Sequence, residues 1–368
     1  MSGLEGVVAA QTVLSEVDGL AGRLIIRGHA LDELAGRWSF EEAAGLLLAG
    51  FFPDLPDDLA PALGAARVRV FEQVAHLDAN LARAPVEAIR ALVARLADRD
   101  DLEIGLNLIA APAVFTGAVL RVSTGKAPIA PDAKLGHAAD SLRMMRGQAA
   151  TRAQAAALDT YLVTVCDHGL NASTFAARVV ASTQAGLTSA VLAGISALKG
   201  PLHGGAPGPV IDMLDAIGAP TNARVWLAEA LDRGERLMGF GHRIYRVRDP
   251  RADALKAAVR DLALQEEAVC GRIALAEAVE GAALAEAVEG AALAILRERK
   301  PDRPLETNVE FYTALLLEAL GFPPSAFTCV FAMGRTAGWV AHAREQVAGG
   351  RLIRPQSAYV GPPPRVAA

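Results

Sequence analysis

Aromatic side chains make up only 5% of this chain of 368 residues, although 52% of it is hydrophobic. The apolar share is carried by Ala, Leu and Val, a mixture that favours many closely packed helices over a strand-rich fold. Cysteine is scarce: Cys166, Cys270 and Cys329 stand far apart and form neither a disulfide framework nor a metal knot, which fits a reducing compartment. No long run of Lys and Arg exists and the formal charge is -5, so a nucleic-acid surface is not expected. Uninterrupted apolar runs are short, the longest near 190–198, and none approaches a membrane span. No basic residue precedes Arg23, so the start does not read as a signal peptide, and a cytoplasmic protein is expected. Strand-helix alternation is missing too, and with it support for a parallel sheet.

The length exceeds what one compact core usually holds, so two domains are expected. Val13 to Val17 and Arg23 to Ile26 are short β-prone stretches around Asp18-Gly19 and Gly22, which predict a small hairpin. Ser39 to Glu42 has capping-box spacing ahead of an apolar run that stops at Gly50 and Pro53. Apolar residues at three- and four-residue spacing then predict helices over Pro85 to Leu96, Ala153 to Val165, Ser189 to Leu198 and Thr313 to Leu320. One repeat is present: Ala274 to Ala282 recurs unchanged as Ala283 to Ala291. Nine residues advance a helix by about 900°, so the two copies would present their apolar residues on opposite faces. It reads as a tandem duplication in an exposed helical hairpin, with no function attached.

Three segments break the helical pattern. Around His203, in Lys199 to Gly205, flanking glycines allow close approach by a ligand. A helix predicted from Val210 would bias the imidazole towards its neutral form, able to donate to an oxyanion. A tight structural loop accounts for the same residues equally well. From Gly239 to Arg251, four arginines and His242 fall within thirteen residues, a concentration suited to carboxylate or phosphate. Its Gly-x-Gly lacks the third glycine and the strand of a dinucleotide fingerprint. In Glu306 to Tyr312, Glu310 stands at a helix start, where a carboxylate is often only a cap or a dipole partner. Asp167 to Asn171 ends one helix and starts another, and Arg335 and Arg354 occur singly. The histidines lack metal-ligand spacing, and no nucleophile elbow is present.

Together these segments resemble the citrate synthase family. The 239–251 stretch is similar residue by residue to that family's signature, and DHGLNASTF, GPLHGG, GRTAGW and RPQSAY fall around it in family order. The resemblance covers almost the whole chain and implies an all-α, two-domain homodimer with a minor N-terminal β-hairpin. Residues 1–204 and 316–368 would form the large helical domain and 205–315 the small one, with the site in the cleft between them. It also implies condensation of acetyl-CoA with oxaloacetate and hydrolysis of the resulting thioester to citrate and CoA. On that pattern Glu310 is the base, His203 stabilises the enol and His242 polarises the ketone. His168, Arg251 and Arg335 hold the oxaloacetate carboxylates, Arg354 reaches in from the second subunit, and Arg246 contacts CoA phosphate. Acetyl-CoA is a co-substrate, and no permanently bound cofactor or metal is implied.

Glu310 departs from the pattern, since most members carry Asp there; an NVEFY branch exists among bacterial relatives of the family. Gly169 and Pro207 replace an acid and an Asn often found at those positions. A 2-methylcitrate synthase using propionyl-CoA is the nearest alternative, because one methylene gives only about 1–3 kcal/mol of discrimination. A paralogue binding CoA or dicarboxylate without turnover is the other.

Overall fold

The computed structural model describes residues 6–204, 208–242, 244–270, 272–301 and 305–362, with side chains at 266–280 and 282 left aside. Gly205, Pro207 and Arg243, each part of a motif above, fall outside the described residues. Fifteen α-helices and one small sheet appear among those described, so the all-α expectation holds.

The sheet comes first. Strands β1 (Ser15–Asp18), β2 (Arg23–Ile26) and β3 (His29–Ala30) pair antiparallel in that order, with Asp18 opposite Arg23 across the first turn. Helices α1 (Leu31–Leu34), α2 (Phe40–Leu48), α3 (Ala60–Phe71), α4 (Pro85–Val93) and α5 (Leu102–Ser123) follow. Next are α6 (His137–Arg146), α7 (Arg152–Val165), α8 (Ala172–Ala181) and α9 (Leu187–Leu198). Then come α10 (Gly208–Ile217), α11 (Ala223–Asp232), α12 (Pro250–Cys270), α13 (Arg272–Arg299), α14 (Val309–Ala319) and α15 (Phe327–Gly349).

The expected capping box forms at Ser39, whose side chain accepts from the Glu42 amide while Glu42 reaches back. Helix α5 is buried along most of its length and packs against α3, α4, α6, α9 and α15. It is long and apolar enough to cross a membrane, but in this fold it is the core helix. Two glycines decide how α15 sits. A Cβ at Gly334 would lie 2.7 Å from the Leu162 carbonyl, and one at Gly338 would lie 2.3 Å from that of Cys166. Only glycine at these two positions lets α15 press against the end of α7, at a cost of about 1 kcal/mol each in helix propensity. That approach seats Arg335 beside the loop leading to His168.

Candidate active site

One cleft of about 1080 Å³ is lined by His168, His203, His242, Arg246, Arg251, Glu310 and Arg335. Seven side chains singled out in the sequence therefore meet. Arg354 does not: it is exposed on the extended C-terminal segment.

His168 is delivered by the turn between α7 and α8. Asp167 beside it is fully buried and interacts with His342 Nε2 at 3.1 Å, with Ser15 as a second donor. Gly169, with φ +60, takes the left-handed conformation that the turn needs, and its N–H donates to Ser15 at 2.9 Å. Asn171 then caps α8 through the Ser173 and Thr174 amides. His168 Nε2 lies 3.1 Å from the Tyr245 hydroxyl. Burial, reinforced by the charges of Arg251 and Arg335, holds its pKa well below the usual value, so the ring is neutral.

His203 precedes α10 in the chain. Burial comes first and the charges of Arg335 and Arg251 second, lowering its pKa to about 4. Its Nε2 lies 2.8 Å from Ser173 Oγ. That hydroxyl also has Asn171 Oδ1 at 2.8 Å and accepts from Trp339 Nε1 at 3.3 Å.

His242 is better determined. Its Nδ1 accepts from the Ile244 and Tyr245 amides, both at 3.1 Å, which places the neutral ring's proton on Nε2. Nε2 is 3.3 Å from an Arg251 nitrogen, so two donors face the same space with no acceptor between them. Such a pair is completed by an anionic oxygen. The pKa of His242 is lowered to about 4, by burial and then by Arg251, with Asp249 opposing.

The two buried arginines differ. Asp249 takes Arg251 in a fork, Nε at 3.0 Å and Nη2 at 2.8 Å, and also accepts from the Val309 amide at 3.3 Å. Burial opposes the Arg251 charge, but Asp249 outweighs it and the pKa rises. Arg335 instead donates Nε to the Val165 carbonyl at 2.6 Å and lies over the Phe331 ring at 4.8 Å. Its pKa is lowered to about 10 by burial, only partly offset by Asp167.

Glu310 lies in the first turn of α14, whose cap Asn308 accepts from the Glu310 amide at 3.0 Å. A Cβ at Gly239 would come within 2.8 Å of Phe311 Cβ, so this glycine lets α14 approach the signature loop. Among the described residues no hydrogen bond reaches the Glu310 carboxyl. Burial raises its pKa to about 7, with Arg251 opposing and Asp249 reinforcing. A carboxyl poised near neutrality, three neutral histidines and two guanidinium groups can bind a dianion and move a proton at carbon.

The N-terminal hairpin braces the 239–251 loop. Its tip accepts the Arg246 amide on the Gly19 carbonyl at 2.8 Å, and a Cβ on Gly19 would stand 2.3 Å from the Ile244 carbonyl. Arg246 itself is exposed at the cleft rim, where Arg236 and Lys300 join it. Among the described residues no group of three His, Cys, Asp or Glu side chains is placed to hold a metal ion. Ser173, Tyr245 and Asp249 were not singled out by sequence reasoning, although all three fall inside motifs it quoted. Tyr245 and Asp249 lie in the 239–251 run, where an acid two residues before an arginine was the available signal.

Comparison with known proteins identifies the family. The model of "Citrate synthase, C-terminal domain" matches residues 3–356. A citrate synthase of Haloferax volcanii is 36% identical, covering 98% of this chain and 95% of that protein. A 2-methylcitrate synthase of Mycobacterium tuberculosis is 35% identical, covering 99% and 91%. The fold superposes on a citrate synthase from Thermoplasma acidophilum, solved in ternary complex with carboxymethyl coenzyme A and oxaloacetate, with a TM-score of 0.83 and 27% identity over 100% of this chain and 98% of that one. With its fold and nearly its whole length in agreement, the chain belongs to the citrate synthase family and is an acyltransferase of that family's type.

Proposed function

We propose that this enzyme condenses acetyl-CoA with oxaloacetate and hydrolyses the citryl-CoA formed to citrate and CoA, as in the tricarboxylic acid cycle. The observation that carries the reading is Glu310: an unpartnered carboxyl with a pKa of about 7 facing neutral histidines and buried arginines. Its carboxylate takes a proton from the thioester's methyl carbon. His203 stabilises the thioester oxygen by a hydrogen bond as the enol or enolate forms. The nucleophilic carbon then attacks the ketone of oxaloacetate, whose oxygen receives the His242 Nε2 proton. Arg251, Arg335 and His168 hold the two carboxylates, and water cleaves the citryl thioester. Arg246 meets the CoA phosphates at the rim, with the charges of Arg236 and Lys300 nearby.

The same reading carries a homodimeric, cytoplasmic enzyme with no resident cofactor. In support of a dimer, the segment after α15 is extended and unburied, with Tyr359 78% and Val360 95% exposed. Apolar side chains so placed suit a partner surface, and Arg354 on the same segment then completes the neighbouring cleft. The division into 1–204 with 316–368 and 205–315 belongs to this reading too; α14 runs through its second boundary.

A 2-methylcitrate synthase is the second reading, favoured by a relative of that name at nearly the same identity as the citrate synthase. Thiol release from acetyl-CoA and propionyl-CoA, each with and without oxaloacetate, decides between them. Faster oxaloacetate-dependent release from acetyl-CoA supports the first reading, and faster release from propionyl-CoA the second. No oxaloacetate-dependent release from either overturns both in favour of a binding paralogue.

A further inference from the structure

The nine-residue repeat has no place in the chemistry above, yet its second copy packs against the segments that carry the site. Glu289, in that copy, is 5% exposed and takes four donors. One carboxylate oxygen accepts from Arg248 at 2.9 Å and Thr307 at 2.7 Å. The other accepts from Lys256 at 2.7 Å and the Tyr312 hydroxyl at 2.6 Å. Every donor sits on a segment that carries or adjoins a site residue. Arg248 precedes Asp249 and Arg251. Thr307 bridges to Phe240 and offers its carbonyl to the Asp249 amide. Tyr312 lies two residues beyond Glu310 on α14, and Lys256 lies on α12, whose second residue is Arg251. Val288 and Ala285, 0% and 2% exposed, anchor the same copy in the core.

We propose that Glu289 is a positioning residue for the reaction, holding the 239–251 loop and the start of α14 in register, and that the second copy alone supplies this function. The proposal rests on Glu310 being the base. Helical geometry limits the role to one copy. Positions 280 and 289 on α13 are nine residues apart, about 900° round the axis, and so on opposite faces. Because the copies are identical, deleting nine residues leaves one copy continuous with Ala292, and a glutamate in the register that Glu289 now occupies.

The test compares three variants of the full-length protein. Glu289→Gln keeps the shape and removes the charge; kcat falls about tenfold to a hundredfold, the scale of a misplacement of about 1 Å. Amide hydrogen exchange rises locally over 305–312, where a general loss of stability would raise it throughout. Glu280→Gln and the deletion of 274–282 keep kcat within about twofold. Should Glu289→Gln fail to fold, since a broken buried ion pair is strongly destabilising, Tyr312→Phe removes one bond without stranding a charge. It then shows a severalfold lower kcat and the same local exchange. Wild-type turnover in Glu289→Gln, or in Tyr312→Phe where that variant stands in, overturns the proposal, as does exchange that rises everywhere or nowhere. An equal loss in Glu280→Gln, or an inactive deletion, overturns the assignment to the second copy. Glu310→Gln, measured alongside, reports on the base itself, and the exchange result stands whichever way that comes out.

Discussion

Glu289 and Glu310 lie on opposite sides of one short stretch of chain, and their surroundings are opposite. Glu289 is surrounded by two cations and two hydroxyls, which overcome the penalty of burial and hold its pKa at about 2. Glu310 accepts no hydrogen bond among the described residues, and burial pushes it up to about 7. Environments that drive two like groups apart in pKa assign them different work. The partnered carboxylate stays charged and fixes geometry; the unpartnered one changes protonation near neutral pH and can act as a base. Asp249 stands between them in kind, bonded in a fork to Arg251 yet close enough to raise Glu310.

The largest effect that this contrast predicts is on turnover. Glu310→Gln lowers kcat by about 10²–10⁴-fold, the usual contribution of a positioned general base, measured as oxaloacetate-dependent thiol release. A variant with near wild-type kcat would remove Glu310 from the chemistry.

Acidity comes next. At saturating oxaloacetate, kcat/KM for the acyl-CoA falls about tenfold for each pH unit below about 7, as Glu310 takes up its proton. His203 and His242, at about 4, stay neutral over that range and add no limb. A profile flat from pH 5 to 8 would contradict the contrast.

Stability should mirror activity. Glu310 has a folded pKa raised above its unfolded value, so its favourable contribution is present below about 4.5 and lost as pH rises through about 7. Removing the charge with Glu310→Gln therefore stabilises the protein at pH 8, by about 1–3 kcal/mol. Glu289 has the opposite sign: its contribution is present above about 4.5 and lost as pH falls through about 2. Glu289→Gln is accordingly destabilised at pH 8. Thermal midpoints of the two variants moving in the same direction would break the comparison.

The smallest effect concerns the frame around both residues. Gly19→Ala forces the hairpin tip off the Ile244 carbonyl, a clash worth about 1–3 kcal/mol, and raises the oxaloacetate KM severalfold. Gly28→Ala, in the turn between β2 and β3, is strained by its φ of +90 but meets no neighbour, and it leaves KM unchanged. Equal effects in the two variants would mean that the hairpin contact has no part in holding the loop.

Much of this was legible in the sequence because it is local. Capping boxes, the hairpin around Asp18-Gly19 and the order of the motifs depend on residues a few positions apart. The seven side chains that meet in the cleft were named from their motifs. What escaped depends on distant contacts. Glu289 meets Arg248 across 41 positions, and nothing in a helical repeat marks one of two identical glutamates as buried. Ser173 meets His203 across 30 positions and reads, in sequence, as an ordinary residue behind a cap. Helix α5 was missed because Asn107, Pro112 and Thr116 interrupt its apolar pattern, although the fold buries all three. The neutral state of His203 was foreseen from a helix dipole; burial and two arginines also favour it, and only the fold provides their approach.

The contrast between the two glutamates is tested most directly by titrating their carboxyl carbons. In protein labelled with ¹³C at the glutamate side chain, the resonance missing from Glu310→Gln should titrate near pH 7, and the one missing from Glu289→Gln should show no titration above about pH 3. A Glu310 resonance that titrates near the ordinary value of about 4.5 would contradict the assignment of the base.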